Sequence, residues 1–311
     1  MELISVMTPC YNEQENIEDV YLQVKSVFEE LPDFQYEHLF IDNASTDNTI
    51  NILRKISSID KNVKVILNIR NFGHIRSPFY GLLQCKGDAV ISLVSDLQDP
   101  PFLINDFIKK WKEGYSIVIG VKTKSRENPF MFALRKFYYN LLSRFAEVNQ
   151  IKNFTGFGLY DKKFMDILRK SNDPYPYFRG IISEFGNQIY EIEFTQPRRM
   201  KGKTKNNLYT LYDMAMLGFV NYSKLPLRLA GFVGFGVATI SLLFALVYSI
   251  YTLIHWNWFT VGTAPLVIGL FFLSSLQLFF TGIIGEYIGA IYTQVRKKPL
   301  VIEKERINFA G

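Results

Sequence analysis

Residues 225–295 are the most constraining feature of this sequence, because only Arg228 and Glu286 carry a formal charge there. A domain folded in water keeps charged side chains on its surface, whereas a chain that crosses a bilayer excludes them. Two apolar runs, 229–254 and 263–292, are each long enough as helices to cross a hydrocarbon core of about 30 Å. The stretch therefore predicts a two-helix transmembrane hairpin, with an ordinary hydrophobic core as the alternative.

The charges that flank the two runs predict their orientation. Lys224 and Arg228 precede the first run and basic residues follow the second at 296–298, while the connector 255–261 has neither Lys nor Arg. Basic residues accumulate on the cytoplasmic side, so both outer ends are predicted to be cytoplasmic. The amino terminus does not resemble a signal peptide, since no basic region precedes a long apolar run. Glu286 either reaches the interface or pairs with Arg228, or else lies near a lipid phosphate.

Short β-rich runs alternate with helical patterns ahead of the apolar stretch. The strands are predicted at 3–8, 37–42, 63–67, 89–94 and 116–121, and the helices at 15–30, 48–57, 77–85 and 102–113. Strands that alternate with helices of about ten residues form parallel βαβ units. The sequence thus predicts an α/β fold with a mostly parallel sheet.

The predicted organisation has four parts. A catalytic domain covers 1–205, a juxtamembrane amphipathic segment 206–225, the two transmembrane helices 226–295 and a cytoplasmic tail 296–311. Within the first part, 128–148 is predicted as a helix with apolar and aromatic residues on one side and basic residues among them. That helix either packs on the core or lies at the membrane surface.

Polar residues end the predicted strands, and ligands of parallel sheets bind beyond the carboxyl ends of the strands. These residues are Tyr11, Asn12, Glu13, Asp42, Asn43, Asn71, Ser95 and Asp96. Neither a G-x-G-x-x-G after the first strand nor a G-x-x-x-x-G-K-[ST] occurs, which disfavours dinucleotide redox enzymes and P-loop NTPases. The edge is predicted to bind a different ligand.

Four short strings follow the strands in order. They are Thr8-Pro9-Cys10-Tyr11-Asn12-Glu13, Asp42-Asn43-Ala44-Ser45-Thr46-Asp47, Arg70-Asn71-Phe72-Gly73 and Ser95-Asp96-Leu97-Gln98-Asp99-Pro100-Pro101. Together with the basic loop and two spans that follow, they resemble family-2 glycosyltransferases of the GT-A fold. The resemblance is to the polyprenyl-phosphate group, which includes dolichyl-phosphate mannose synthases and bactoprenol glucosyltransferases, and the two-span anchor is most similar to the bactoprenol branch. It implies a GT-A, Rossmann-like domain.

The resemblance implies a pocket for a nucleotide sugar. Asp42 would accept hydrogen bonds from a base N–H, with Pro9, Tyr11 and Glu13 lining the nucleoside pocket. Asp42 could instead stabilise a turn, and Asp47 is interpreted as a helix cap. Asn71 either binds near the nucleotide or makes a turn.

The resemblance also implies a divalent metal, Mg²⁺ or Mn²⁺, at a string that usually reads Asp-x-Asp-Leu-Gln-Asp. Val94 replaces the first Asp here, which leaves Asp96 and Gln98 as metal ligands. Oxygen atoms of carboxylates and amides suit such hard cations. Asp99 is interpreted either as a further ligand or as the cap of the following helix.

The acceptor in these relatives is a lipid phosphate, which cationic and polar side chains would hold. Those implied here are Arg126, Arg135, Thr155, Arg198 and Lys205, and the catalytic set is Asp96, Arg135 and Arg198. Acids proposed as a base in relatives are replaced near Phe154. A phosphate monoester, with a second pKa near ~6, is mostly ionised at neutral pH and needs no strong base. Asp161 orients a substrate or caps the helix after it.

The combined prediction is a metal-dependent hexosyltransferase that moves a sugar from UDP to undecaprenyl phosphate with inversion, at the bacterial inner membrane. A non-catalytic membrane scaffold and a processive polysaccharide synthase are the alternatives, although the synthase's Gln-x-x-Arg-Trp motif is missing. A formal charge of +6 without a long basic tract disfavours nucleic acid. Cys10 and Cys85 are interpreted as buried small residues. A homo-oligomer is left open.

Overall fold

A computed structural model describes residues 1–124, 151, 153–171, 173–186, 188–197, 225–254, 263–296 and 298–309. The side chains of Lys124, Thr155, Arg228 and several other residues of the last two helices lie outside that description. The strands are β1 (Glu2–Cys10), β2 (Phe34–Asp42), β3 (Val63–Asn68), β4 (Ala89–Ser92), β5 (Ile117–Lys124), β6 (Phe154–Asp161), β7 (Ile189–Thr195) and β8 (Glu303–Ile307). The helices are α1 (Ile17–Glu29), α2 (Thr49–Ile59), α3 (Gly73–Gln84), α4 (Leu103–Lys112), α5 (Lys162–Ser171), α6 (Phe178–Phe185), α7 (Leu225–Ile254) and α8 (Thr263–Val295).

The strands form one mixed sheet in the order β7-β5-β6-β4-β1-β2-β3-β8. β4, β1, β2 and β3 are mutually parallel, as the alternation of strands and helices predicts. β6 runs antiparallel between β4 and β5, and β8 runs antiparallel beside β3. The fold is therefore α/β with a mostly parallel sheet, interrupted by one internal strand and closed by one edge strand.

Helices cover both faces of the sheet because its central strands are apolar on both sides. In β2, Phe40 packs into the core cluster on one face, while Leu39 and Ile41 pack into the cluster on the other. α3 lies very close to the sheet: a Cβ on Gly81 would meet Ile41 Cγ2 at 2.9 Å. A larger residue at position 81 would therefore push α3 away from the sheet.

The segment after α8, predicted only as a tail, contributes a strand to the sheet. β8 pairs with β3, and Asn308 Nδ2 donates hydrogen bonds to the carbonyls of Ser57, at 2.6 Å, and Val63, at 2.9 Å. Gln294, at the end of α8, donates to Asp173 Oδ1 at 3.0 Å. The chain thus returns from α8 to the domain formed by its first part.

α7 and α8 contain 30 and 33 residues and contact each other. Their bounds match the two predicted apolar helices closely, with α8 ending three residues later at Val295. Across the ranges given above, no helix is long and apolar enough to cross a membrane. The predicted transmembrane hairpin is not confirmed.

Candidate active site

The carboxyl ends of the four central strands meet at one edge of the sheet. The register places Cys10 beside Asp42, Asp42 beside Leu67, and Met7 beside Ser92. The loops that follow β1, β2, β3 and β4 therefore lie side by side, as expected for a parallel sheet. These loops carry the polar residues that the sequence singles out.

Left-handed backbone occurs in three of these loops. Asn12 has φ of 56°, Ala44 of 60° and Leu97 of 55°. This conformation is unfavourable for residues other than Gly, particularly for Ala and Leu, and such strain is concentrated at functional sites. The strained turns therefore lie at the carboxyl ends of the strands, where the polar residues also lie.

Hydrogen bonds join the loop after β1 to the loop after β2. The backbone N–H of Asn12 donates to Ser45 Oγ at 2.8 Å, and that of Thr46 donates to Asn12 Oδ1 at 2.7 Å. The backbone N–H of Glu13 donates to Thr49 Oγ1 at 2.9 Å. Pro9, Tyr11 and Glu13 are all half-buried beside these contacts. The predicted nucleoside pocket thus has a preformed backbone.

Asp42 is fully buried at the end of β2. Its Oδ2 accepts a hydrogen bond from the backbone N–H of Ser45 at 2.9 Å, and its Oδ1 accepts one from the Ser45 hydroxyl. Burial raises the pKa of Asp42, and the bonds from Ser45 act in the opposite direction. The turn interpretation of Asp42 is therefore confirmed, and its predicted contact with a base stays a prediction.

Asn71 also takes part in a turn. Its Oδ1 accepts hydrogen bonds from the backbone N–H of Gly73, at 2.7 Å, and from Asn43 Nδ2, at 2.9 Å. Gly73 has φ of +88°, which glycine adopts readily. The structure gives Asn71 the role of holding the loop into α3, and nucleotide contact by this residue stays a prediction.

Two acids interpreted as caps hold helix starts. Asp161 Oδ1 accepts the backbone N–H of Phe164 at 2.8 Å, in the first turn of α5. Asp47 Oδ1 accepts the backbone N–H of Thr49 at 3.0 Å, at the start of α2. Asp161 therefore acts as a cap. It supports the position of α5 rather than offering an uncommitted base.

The predicted metal ligands follow β4 in a tight turn. Asp96 and Gln98 are half-buried, and the backbone N–H of Gln98 donates to Asp96 Oδ1 at 3.1 Å. The two residues carry a carboxylate and an amide, whose oxygens are ligands that Mg²⁺ and Mn²⁺ accept. Within the described part of the chain, no three acidic, His or Cys side chains form a metal-binding group.

Asp99 differs from its interpretation as a helix cap. The N-cap of α4 is Phe102, and Asp99 is 1% exposed, with no hydrogen-bond partner for Oδ2 among the described residues. Burial raises the pKa of Asp99 to about 7, with the charge of Lys122 opposing this shift and that of Asp96 adding to it. The cap interpretation is wrong because the helix begins farther along the chain. A carboxyl group with an unused oxygen instead lies buried beside the predicted metal ligands.

Four of the residues predicted to bind the acceptor phosphate lie outside the described residues: Arg126, Arg135, Arg198 and Lys205. The predicted helix at 128–148 and the segment 206–224 lie outside them too. Thr155 belongs to β6, and only its backbone is described. Cys10 and Cys85 are buried and free of disulfides, as predicted.

Asn43 is a strand-end residue that the sequence singles out without assigning it a role. It is 7% exposed, and its Oδ1 accepts the backbone N–H of Phe72 at 2.9 Å and Asn68 Nδ2 at 3.2 Å. Its Nδ2 also donates two hydrogen bonds, so the side-chain amide uses all four of its hydrogen-bonding positions. Its position immediately after Asp42, at the end of a buried strand, was the available signal.

Comparison with known proteins shows the family to which the chain belongs. Residues 5–172 match the family described as Glycosyl transferase family 2. The chain is 34% identical over 299 residues to the uncharacterized glycosyltransferase YkcC of Bacillus subtilis, which covers 96% of this chain and 92% of that protein. It is 31% identical over 303 residues to the SfII prophage-derived bactoprenol glucosyl transferase of Shigella flexneri, covering 97% of each.

A solved structure with a similar fold is the glucosyl-3-phosphoglycerate synthase of Mycobacterium tuberculosis, determined with Mn²⁺, UDP and phosphoglyceric acid. It is 17% identical, with a TM-score of 0.48, over 70% of this chain and 76% of that one. The family match includes the four parallel strands and all the loops at their carboxyl ends. The chain has the GT-A type of α/β fold and belongs to glycosyl transferase family 2.

Proposed function

We propose that this glycosyltransferase moves a hexose from UDP to a polyprenyl phosphate, undecaprenyl phosphate in a bacterium, with inversion at the transferred carbon. The observation that carries the proposal is the likeness to a bactoprenol glucosyl transferase over 97% of the chain. That likeness includes the apolar residues 225–295 as well as the catalytic domain. A family match confined to the domain would support a sugar donor without indicating a lipid acceptor.

The donor is proposed to bind at the strand ends described above. Pro9, Tyr11, Glu13 and Asp42 line the nucleoside pocket, and Asn71 lies at its border. The hydrogen bonds among the loops keep these groups in place before the donor arrives. Such preorganisation lowers the cost of ordering the site when the ligand binds.

Mg²⁺ or Mn²⁺ is proposed to bind at Asp96 and Gln98, where the side-chain oxygens fit a hard cation. When bound, the ion would neutralise negative charge on the departing diphosphate. Asp96 contributes the half-buried carboxylate on which this site depends. The protein's own part is to fix the position of the diphosphate relative to the acceptor.

The acceptor phosphate is proposed to be the nucleophile without a protein base. One of its oxygens attacks C1 of the sugar, a C1–O bond to the lipid phosphate forms, and the bond from C1 to the UDP oxygen breaks. The attacking phosphate is already mostly ionised at neutral pH. The position of Asp161 supports this mechanism: it pairs with Ala89 at the amino end of β4, whereas the proposed donor site lies beyond the carboxyl ends of the strands.

Arg126, Arg135, Thr155, Arg198 and Lys205 are proposed to hold the acceptor phosphate. Arg135 and Arg198 would also oppose negative charge as it moves onto UDP. Positioning and electrostatic stabilisation account for much of the rate in phosphate-dependent transfer reactions of this kind. This part of the proposal comes from the sequence resemblance.

The enzyme is proposed to be anchored in the bacterial inner membrane by α7 and α8, with the domain and both termini in the cytoplasm. The near absence of charge at 225–295 supports an anchor. Large apolar side chains on both helices, among them Phe232, Phe235 and Leu278, are mostly exposed, which supports a lipid or protein partner.

The test is transfer by the purified full-length protein, with a panel of UDP- and GDP-hexoses, undecaprenyl phosphate, and Mg²⁺ or Mn²⁺. We expect a lipid-extractable sugar product with one UDP-hexose and none when the lipid is omitted. The loss of an acid at Val94 favours a second candidate, a scaffold that binds but does not transfer. Donor binding without any lipid-linked product would support the scaffold and overturn the proposed transfer.

A further inference from the structure

The Asp99 carboxyl group is buried, yet the described residues packed around it leave one of its oxygens without a hydrogen bond. It lies between β4 and α4, is 1% exposed, and has an Oδ2 without a hydrogen-bond partner in the part of the chain that the structure describes. A buried carboxyl group that lacks partners is costly, and such groups are rare unless a ligand completes them. The unused oxygen therefore points to a missing ligand.

The neighbours of Asp99 locate that ligand. The backbone N–H of Val94 is near enough to lower the pKa of the Asp99 carboxyl group, and the charges of Lys122 and Asp96 act on that pKa in opposite directions. The Asp99 carboxyl group therefore lies near position 94, where the resemblance described above implies the first acid of a metal string. Val94 itself has only an apolar side chain to offer.

The turn between Asp96 and Asp99 explains how they come together. Leu97 has left-handed backbone, and the N–H of Gln98 bonds back to Asp96 Oδ1 at 3.1 Å. An extended segment would point residues 96 and 99 to opposite faces. The strained turn instead keeps both acids within electrostatic reach of each other.

We propose that Asp99 supplies the second carboxylate of the divalent-cation site, in place of the acid that Val94 has lost. This inference rests on the proposed function, because it concerns the same donor site. A second carboxylate would raise the affinity of a site otherwise made of Asp96, Gln98, diphosphate and water. The replacement of an acid by Val94 then lowers the metal affinity less than the sequence alone predicts.

The test measures Mn²⁺ binding directly, by the loss of the free Mn²⁺ electron paramagnetic resonance signal, with full-length protein and saturating UDP. We expect Asp99→Asn to weaken Mn²⁺ binding by about tenfold or more, as loss of a carboxylate ligand does. Asp106→Asn is the matched control, because Asp106 is exposed in the first turn of α4 and should leave the affinity unchanged. Asp99→Ser serves as a smaller second variant if Asp99→Asn does not fold.

Adding an acid at position 94 makes the test sharper. If Asp99 occupies the second carboxylate position, Val94→Asp should restore most of the Mn²⁺ affinity of Asp99→Asn and change that of the wild type less. An equal gain in Mn²⁺ affinity when Val94→Asp is added to the wild type and to Asp99→Asn would overturn the proposal. Unchanged affinity in Asp99→Asn, with loss in Asp96→Asn, would also overturn it while leaving the proposed function intact. Absence of UDP-dependent Mn²⁺ binding in the wild type would overturn this proposal and the proposed cation site, whereas the transfer itself is tested separately by the lipid-linked product.

Discussion

The side-chain amide of Asn43 donates a hydrogen bond to Asn71 Oδ1 over 2.9 Å and joins the loop after β2 to the loop after β3. Asn43 Nδ2 also donates to the carbonyl of Gly73 at 3.1 Å, and its Oδ1 accepts the N–H of Phe72. The two loops thus depend on one buried side chain. Both of them border the proposed donor pocket.

Replacing this side chain should weaken both the fold and donor binding. Asn43→Ala leaves the N–H of Phe72 and the carbonyl of Gly73 without partners, which should cost about 2–4 kcal/mol of unfolding free energy. Urea unfolding and UDP titration of the purified protein measure the two effects. Asn51→Ala is the control, because the exposed Asn51 amide donates only to Asn48 Oδ1 within the described part of the chain. This change should alter stability by less than about 0.5 kcal/mol. Similar losses in the two variants would contradict the joining role.

Asp96 and Asp161 should respond differently to the same amide substitution. Asp161→Asn keeps an oxygen that accepts the N–H of Phe164, so the cap and most of the transferase activity should remain. Asp96→Asn removes the negative charge from the proposed cation site, and kcat/KM should fall by about a hundredfold or more. The reverse pattern would show that Asp161 is the essential acid, and the phosphate would then need a base.

The residues after α8 should stabilise the catalytic domain. Asn308→Ala removes bonds to the carbonyls of Ser57 and Val63 and places Ala at a φ of 61°, which should cost about 2–3 kcal/mol. Glu305→Gln breaks an ion pair with Arg54 whose side chains are 38% and 48% exposed, so its effect should stay below about 1 kcal/mol. Urea unfolding of the two variants compares them. Equal small effects would mean that β8 adds little to stability.

The central part of the fold was predictable because it depends on local patterns. Continuous apolar runs gave the positions of β1 to β5, and apolar residues at helical spacing gave α1 to α4. The insertion of β6 between β4 and β5 was not predictable, since pairing between distant strands leaves no local pattern. β8 was missed for the same reason: Glu303–Ile307 is rich in charge, and only its pairing with β3 makes it a strand.

The sequence predicted which edge of the sheet holds the site, but it did not predict the role of every residue there. The polar residues at the strand ends do meet where the parallel sheet requires. Asp99 was interpreted either as a further ligand or as a cap, because an acid before Pro100 commonly precedes a helix. Its burial and its unused oxygen are properties of the folded chain alone. Ser45 could have been found, because an Asp three residues before a Ser is typical of a side-chain turn.

His38 should make stability depend on pH. It is fully buried, with Nε2 2.9 Å from Thr8 Oγ1 and its ring centroid 3.9 Å from that of Phe40. Burial lowers the pKa of His38 to about 3. The unfolded chain therefore takes up a proton near pH 6.5 while the folded protein stays neutral, so stability is present above pH 6.5 and falls as pH decreases toward 3.

The predicted loss has a size and a control. Between pH 6.5 and 4.5 this one group should remove about 2–3 kcal/mol of unfolding free energy, since each pH unit corresponds to about 1.4 kcal/mol. His38→Gln keeps a partner for Thr8 and should remove that part of the pH dependence, measured as the difference from wild type in urea unfolding at each pH. Asn51→Gln, a change at an exposed and uncharged position of α2, should keep the wild-type dependence. If the unfolding free energy of His38→Gln depends on pH as that of the wild type does, groups other than this buried imidazole cause the loss of stability in acid.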